Sequence, residues 1–252
     1  MKTFRRHTGI TLLGASVVTV LLSMPSAHAA LGLDRTRVVL DGGDKSTSLS
    51  VTNGNRTQPY LAQAWVEDAQ GNKITDPLIA LPPVQRIEPG AKSQVKIQVT
   101  SGVSRLPQDK ESLYYFNLRE IPPKSDKPNT LQIALQTRIK LFYRPTALKF
   151  DSSATPWQEK LTLTRQGDSY RINNPTSYYV TIVNASSRVG GDDVKGFMPV
   201  MVAPRDSGLI KGSAAELGST PVLTYINDYG GRPSLIFSCS GGSCHVTSSK
   251  AG

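Results

Sequence analysis

Beyond its first 29 residues the chain sets apolar against polar residues in short alternating runs. The runs "TRVVL", "STSLSVTN", "YLAQAWVED", "SQVKIQVT", "LYYFNLREI", "LQIALQTRIKLFY", "KLTLTRQ", "SYRINNP", "YYVTIVNAS", "PVLTYIND" and "SLIFSCS" are rich in β-branched and aromatic residues and are broken by Gly, Pro, Asn and Asp. That pattern predicts strands, because successive side chains of an extended chain point to opposite faces. No window of a dozen residues carries the stripe of an amphipathic helix. Frequent turns between short strands argue for antiparallel sandwiches, and about seven strands per 100 residues is the immunoglobulin-like count. The expected fold is all-β, with two immunoglobulin-like β-sandwich domains in tandem. Their boundary is placed near residue 149, in the stretch "RPTALKFDSSATPW", with Trp157 opening a second set of strands. This gives an N-terminal domain over 30–149 and a C-terminal domain over 150–252.

The run from Leu131 to Pro145 is longer than a small domain needs. Its odd positions are Leu131, Ile133, Leu135, Thr137, Ile139, Leu141 and Tyr143, and its even positions are mostly polar. At about 3.3 Å per residue its 13 residues from Leu131 to Tyr143 would reach roughly 40 Å, against the ~17–20 Å of a typical strand. With Ile139, Leu141 and Tyr143 assigned to the core, the overhang falls on Leu131 to Leu135. A bare alternating edge is an aggregation hazard that soluble proteins blunt with charge or proline. Leaving it bare suits a partner that adds a strand there, with backbone bonds supplying affinity and alternate side chains filling pockets.

Composition narrows the setting. Lys2, Arg5 and Arg6, an apolar run from Ile10 to Leu22, and Ala27-His28-Ala29 read as a secretory signal peptide over 1–29, cleaved after Ala29. The apolar run is too short to span a bilayer comfortably, so no stable membrane insertion is expected. Removing the signal leaves 26 Lys and Arg against 19 Asp and Glu, a charge of +7. That excess fits partners bearing carboxylates, and it fits plain solubility equally well. Nucleic acid is disfavoured, since no run of five basic residues or basic-aromatic cluster occurs. In an oxidising compartment Cys239 and Cys244, in "CSGGSC", read as a disulfide across a tight hairpin in preference to a metal site.

Enzyme signatures are missing from the sequence. His245 is the one histidine outside the signal segment, and it stands beside a cysteine assigned to the disulfide. A Ser-His-Asp or Cys-His site would have to be built on it alone. "CSGGSCH" offers too few ligands for zinc. Gly42-Gly43, Gly190-Gly191 and Gly230-Gly231 precede no helix, so none resembles a phosphate loop, and Asp192-Asp193 reads as turn chemistry. No catalysis and no cofactor are expected. A secreted hydrolase on a β scaffold is therefore the weakest class, and a secreted two-domain pilus component or adhesin is the main alternative to the reading that follows.

The stretches "LDRTRVVLDG", "PYLAQAW", "PPVQRIEPGAKS", "LPQDKESLYYFNLREIPP", "LQIALQTRIKLFYRP", "NPTSYYVT", "YINDYGGRP" and the "CSGGSC" hairpin together resemble the periplasmic pilus chaperones of the chaperone-usher pathway. The resemblance implies an L-shaped pair of immunoglobulin-like domains in the periplasm. It implies a function: binding, folding and capping pilus subunits (pilins, adhesin and adaptors) by donor-strand complementation, and delivering them to an outer-membrane usher. Self-association is implied when no subunit is bound. By the same resemblance Arg37 and Lys140 hold the subunit's C-terminal carboxylate, and Leu131, Ile133 and Leu135 enter the groove of the incomplete subunit. Glu111, Arg144 and Asp228 form an interdomain ion-pair cluster. An usher-facing patch falls on Leu61, Gln63, Pro82, Pro83 and Ile121, where Leu81 and Lys96 depart from the expected Thr and Arg. The short connection "PPKSDKPNT" resembles the chaperones that serve rod-like pili.

A carboxylate held by two cations would fix register, because a one-residue slip turns every aliphatic anchor to the wrong face. Parity sets a condition on this scheme. Lys140 is even and Leu131 odd, so either twist or a bulge intervenes, or Lys140 turns into the interdomain cleft while the aliphatics do not.

Overall fold

The computed structural model describes residues 29–151 and 154–252; the expected signal segment lies, up to His28, outside the described residues. The first half contains strands β1 (Leu31–Leu33), β2 (Arg37–Asp41), β3 (Ser46–Asn53), β4 (Tyr60–Glu67), β5 (Lys73–Ile74), β6 (Leu78–Leu81), β7 (Val84–Ile87), β8 (Lys92–Val99), β9 (Ser112–Ile121) and β10 (Gln136–Arg144). One sheet has the order β1-β3-β8-β6. The other runs β2-β10-β9-β4, with β5 and then β7 pairing successive stretches of β4. Their inner faces meet in a core that includes Leu40, Leu49, Val51, Val95, Ile97, Phe116, Leu118 and Leu141. Pairing is antiparallel throughout except between β2 and β10, which run parallel. Between β6 and β7 the chain crosses from one sheet to the other at Pro82-Pro83, whose missing N–H groups suit a strand break.

The second half folds around a separate core containing Trp157, Leu163, Ile172, Ile182, Leu223, Leu235 and Phe237. Its strands are β11 (Thr162–Gln166), β12 (Ser169–Asn174), β13 (Val180–Ser186), β14 (Val200–Val202), β15 (Asp206–Ile210), β16 (Val222–Tyr225), β17 (Ser234–Ser240) and β18 (Ser243–Lys250). They form one sheet in the order β14-β13-β16-β17-β18-β11-β12-β15. The Cys239–Cys244 disulfide joins β17 to β18 across their hairpin. Both halves are β-sandwich domains.

Two expectations need correction. The long run does not form one strand: β10 starts at Gln136, and the last backbone link before it is the Glu120 N–H donating to the Leu135 carbonyl at 2.9 Å. The reason lies in the neighbours, since β9 ends at Ile121 and β2 begins only opposite Lys140. Beyond the Glu120–Leu135 link, residues 131–134 have no ladder partner on either side and project from the sheet without belonging to it. Trp157 does not open a strand either; Pro156 introduces a 3₁₀ turn over Trp157–Lys160, and the strand waits until Thr162. The strands absent from the sequence reading are short (β1, β5, β6, β7, β14, β15) or largely polar (β18), so they carry little alternation.

Burial separates the overhang from the strand that follows. Leu131, Ile133 and Leu135 are 86%, 66% and 45% exposed, whereas Leu141 is fully buried. Leu141→Asp should therefore fail to fold, since an unpaired buried charge costs several kcal/mol. Ile133→Asp should melt within about 2 °C of the parent, because a surface change shifts stability by a fraction of a kcal/mol. A large drop in melting temperature for Ile133→Asp would place the overhang in the core.

Candidate functional site

Alternation along two parallel strands builds the site. In β2, Val38 and Leu40 point into the core, which leaves Arg37, Val39 and Asp41 on the outer face. In β10, Ile139, Leu141 and Tyr143 are core, so Lys140, Phe142 and Arg144 share that outer face. Register then sets Arg37 beside Lys140, Val39 beside Phe142 and Asp41 beside Arg144. β9 adds Tyr115 opposite Lys140, and β4 adds Glu67 opposite Tyr115. The β9–β10 ladder shows no register shift, so no bulge turns Lys140. Lys140 points to the outer face that it shares with Arg37, and the core residues take the opposite parity.

Arg37 and Lys140 are two cations held side by side at the edge of the domain junction. Arg37 is largely buried; its Nη1 donates to the Ile226 carbonyl of the second domain at 3.0 Å, and its guanidinium lies 5.9 Å from the centre of the Phe142 ring. Its Nε has no hydrogen-bond partner among the described residues. Burial holds Arg37 below the usual arginine value, against the charges of Asp228 and Glu111. Lys140 is half-buried and, among the described residues, its ammonium has no hydrogen bond or ion pair. Burial, and then the positive charge of Arg37, lower its pKa. Two partly desolvated cations with spare donors form a site that an incoming anion would relieve. Beside Arg37 lies a cleft of ≈ 490 Å³ lined by residues of both domains, among them Asp41, Arg144, Phe150, Asp228 and Tyr229.

Farther along β10, Arg144 ties the domains together. Its Nε donates to Glu111 Oε1 and its Nη1 to Asp228 Oδ2, both at 2.8 Å. Glu111 Oε2 accepts the Tyr179 N–H at 2.8 Å. The guanidinium lies 5.1 Å from the ring centres of both Trp157 and Tyr178, which stack on each other at 4.3 Å. Burial opposes the charge of Arg144, but the hydrogen bonds and charges of Asp228 and Glu111 outweigh it and raise its pKa. Burial pushes Glu111 up to about 7, against the pull of Arg144 and the Tyr179 N–H. A buried cluster of this kind contributes little net stability but punishes the loss of any one member, so it specifies geometry. An exposed Arg205–Asp109 pair at 2.5 Å also crosses the junction, and its exposure leaves it a minor term.

The remaining predicted residues lie elsewhere on the first domain. Leu61 stands opposite Ile121 on neighbouring strands, and Gln63 stands opposite Val84, just after Pro82-Pro83. Leu61, Pro82 and Pro83 are exposed, and Gln63 and Ile121 partly so, which makes a continuous outer patch. Val84, 46% exposed and in register with Gln63, belongs to this patch but went unnoticed in the sequence, where it follows two prolines as an ordinary strand residue. The Ile226 carbonyl behind Arg37 and the Trp157/Tyr178 stack around Arg144 were missed as well. No sequence signal points to them, because a backbone carbonyl has no side-chain signature and the aromatics read as core.

Among the described residues, no group of three or more His, Cys, Asp or Glu could hold a metal ion, and His245 is exposed on β18. Two β-sandwiches are thus joined by a buried ion-pair cluster, with paired cations at the junction and an uncovered apolar segment upstream on the backbone of β10. Residues 30–149 match the family model for the N-terminal domain of PapD, "Pili and flagellar-assembly chaperone", and residues 156–237 match that for the PapD C-terminal domain, "Pili assembly chaperone". The chain is 52% identical over 236 residues to the probable fimbrial chaperone YfcS of Escherichia coli K12, covering 93% of each chain. It is 52% identical over 231 residues to the chaperone protein PapD of Escherichia coli, covering 91% of this chain and 95% of PapD. A solved structure of the Salmonella enterica SafA pilin in complex with the SafB chaperone matches at a TM-score of 0.70 and 26% identity, covering 85% of this chain and 98% of the other. The chain belongs to the PapD family of pilus-assembly chaperones.

The hinge carboxylate yields a test of pH dependence. A folded-state pKa of about 7 for Glu111, above its ordinary 4.5, means that the folded protein binds this proton more readily than the unfolded chain does. The contribution therefore favours folding fully below about pH 4.5 and declines as pH rises through about 7. Glu111→Gln, which keeps an oxygen for Arg144, removes that dependence. From pH 5 to 8 the parent should lose melting temperature relative to Glu111→Gln. A flat or reversed difference would mean that Arg144 holds Glu111 ionised across the range.

Proposed function

We propose that this fimbrial chaperone captures pilus subunits (pilins, adhesin and adaptors) in the periplasm by lending a strand, anchored at one end by a carboxylate clamp. The observation that carries the reading is the pairing, in one register, of Arg37 with a half-buried Lys140 that has no counter-ion among the described residues, upstream of which the same backbone leaves three large aliphatics uncovered. The subunit's C-terminal carboxylate accepts hydrogen bonds from Arg37 and Lys140. Its last strand then runs along β10 toward residues 131–135, where Leu131, Ile133 and Leu135 fill the groove of the incomplete subunit. Each aliphatic fully buried contributes roughly 1.5–3 kcal/mol before ordering costs, enough for a tight clamp that a better strand can displace. SafB, which shares the fold, is seen in complex with a pilin, and this supports the same kind of partner here.

The domains divide this work. The segment 30–149 carries the clamp and the lent strand, 150–252 supplies the second wall of the cleft, and the Glu111, Arg144 and Asp228 cluster holds the angle between them. The patch of Leu61, Gln63, Pro82, Pro83, Ile121 and Val84 lies toward the other end of this sheet from Lys140, where it meets the outer-membrane usher. A bare overhang also favours self-association in the absence of a subunit. No step of this cycle makes or breaks a covalent bond, so no catalysis is assigned, and an export signal over 1–29 together with the chaperone family supports work in the periplasm.

Lys140→Ala separates binding from folding. Removing a half-desolvated, unpaired ammonium should leave the melting temperature unchanged or slightly raised, yet subunit should no longer co-purify from the periplasm. Ile133→Asp should behave likewise and should also reduce self-association. Recovery of the subunit complex from Lys140→Ala at parental yield would overturn the carboxylate clamp.

A further inference from the structure

Arg37 belongs to the first domain, but the group that holds it belongs to the second. The Ile226 carbonyl accepts its Nη1–H at 3.0 Å, while the Ile226 N–H donates to the Thr181 carbonyl on β13 at 3.0 Å. The next five residues form a loop closed on one side chain. Asn227 Oδ1 accepts the N–H groups of Tyr229 at 3.0 Å and Gly231 at 2.8 Å. The Asn227 backbone adds a bond from its N–H to the Gly231 carbonyl at 3.0 Å and one to its carbonyl from the Gly230 N–H at 3.1 Å. Asp228, the partner of Arg144, sits inside this loop. The loop also rests directly on the start of β2: a Cβ on Gly230 would come within 3.1 Å of Thr36 Oγ1.

We propose that Asn227 is a positioning residue for the anion clamp: by closing the loop over residues 227–231 it sets the Ile226 carbonyl against Arg37 and Asp228 against Arg144 in the same movement. This deepens the proposed carboxylate clamp and rests on it. Arg37 then presents its remaining donors in one orientation only while the loop is closed and the hinge engaged. Clamp and hinge are thereby two readouts of one element, so by linkage an occupied clamp stiffens the hinge as much as an intact hinge favours the clamp. A loop that served stability alone would not make this connection, because Arg37 would keep its preference for an anion whatever the melting temperature did.

The test uses a synthetic peptide copying a pilin C-terminal strand that the parent binds, made once with a free carboxylate and once as the C-terminal amide. Calorimetry on the full chain gives the ratio of the two affinities. Asn227→Ala should lower the parent's carboxylate preference by about fivefold or more, the low end of ordinary coupling between sites. Amide-peptide affinity should stay at the parental level. Gly231→Ala, whose Cβ would press on Asn227 Nδ2 at 2.9 Å, should reproduce the loss without deleting any polar group. Asn227→Ala melting within about 2 °C of the parent while the preference falls supports a positioning role. A melting temperature that falls while the preference survives overturns it, as does parental preference in both variants. A parent that binds carboxylate and amide equally defeats the clamp itself, an outcome distinguishable because it appears before any variant is measured.

Discussion

The junction between the two domains depends on where one guanidinium is held. Arg144 ends β10, and its charge is buried between a carboxylate from its own domain and one from the other, with two stacked aromatic rings beside it. Hydrophobic contact alone would let two sandwiches slide over a range of angles, since burial of apolar area is non-directional. A buried ion pair is directional and costly to leave half-made. It therefore converts a loose junction into a defined one, and the cleft beside Arg37 takes its shape from that definition.

One strand carries three environments in succession, and the period of two makes this possible. Ile139, Leu141 and Tyr143 close the core, while Lys140, Phe142 and Arg144, one residue out of phase, furnish the outer face and the hinge. Upstream of Gln136 the same alternation continues with no sheet to receive it, so Leu131, Ile133 and Leu135 remain exposed. The proposed clamp, the proposed lent segment and the hinge are thus held in one continuous backbone at fixed spacing. A shift of register in β10 would disturb all three together, which gives the β2–β10 parallel pairing more consequence than its five residue pairs suggest.

Electrostatics and burial pull against each other at both ends of the cleft. At the hinge the conflict is resolved within the protein, because Arg144 meets two acceptors. At the clamp it is left open: Lys140 is partly desolvated, repelled by Arg37, and has no acceptor among the described residues. A folded protein keeps such a group unsatisfied mainly where something else is to satisfy it.

The sequence by itself determined the all-β class, most of the strands and the disulfide hairpin, because alternation and turn residues are local signals that survive without a structure; the candidate site residues came from the family resemblance. It also placed Arg144 and Asp228 in one cluster through the family resemblance, although 84 positions separate them. Tertiary structure decided the rest. The long alternating run could not reveal that its first four residues leave the sheet, since strand length depends on where neighbouring strands β9 and β2 end. Nor could parity alone say whether Lys140 turned by a bulge or stayed on the outer face beside Arg37, because a bulge is a property of a pair of strands. The carbonyl of Ile226 behind Arg37 lay beyond any reading of side chains: a backbone acceptor becomes a partner only when two distant segments are brought to 3.0 Å, and that distance is set by the packing of one domain on the other.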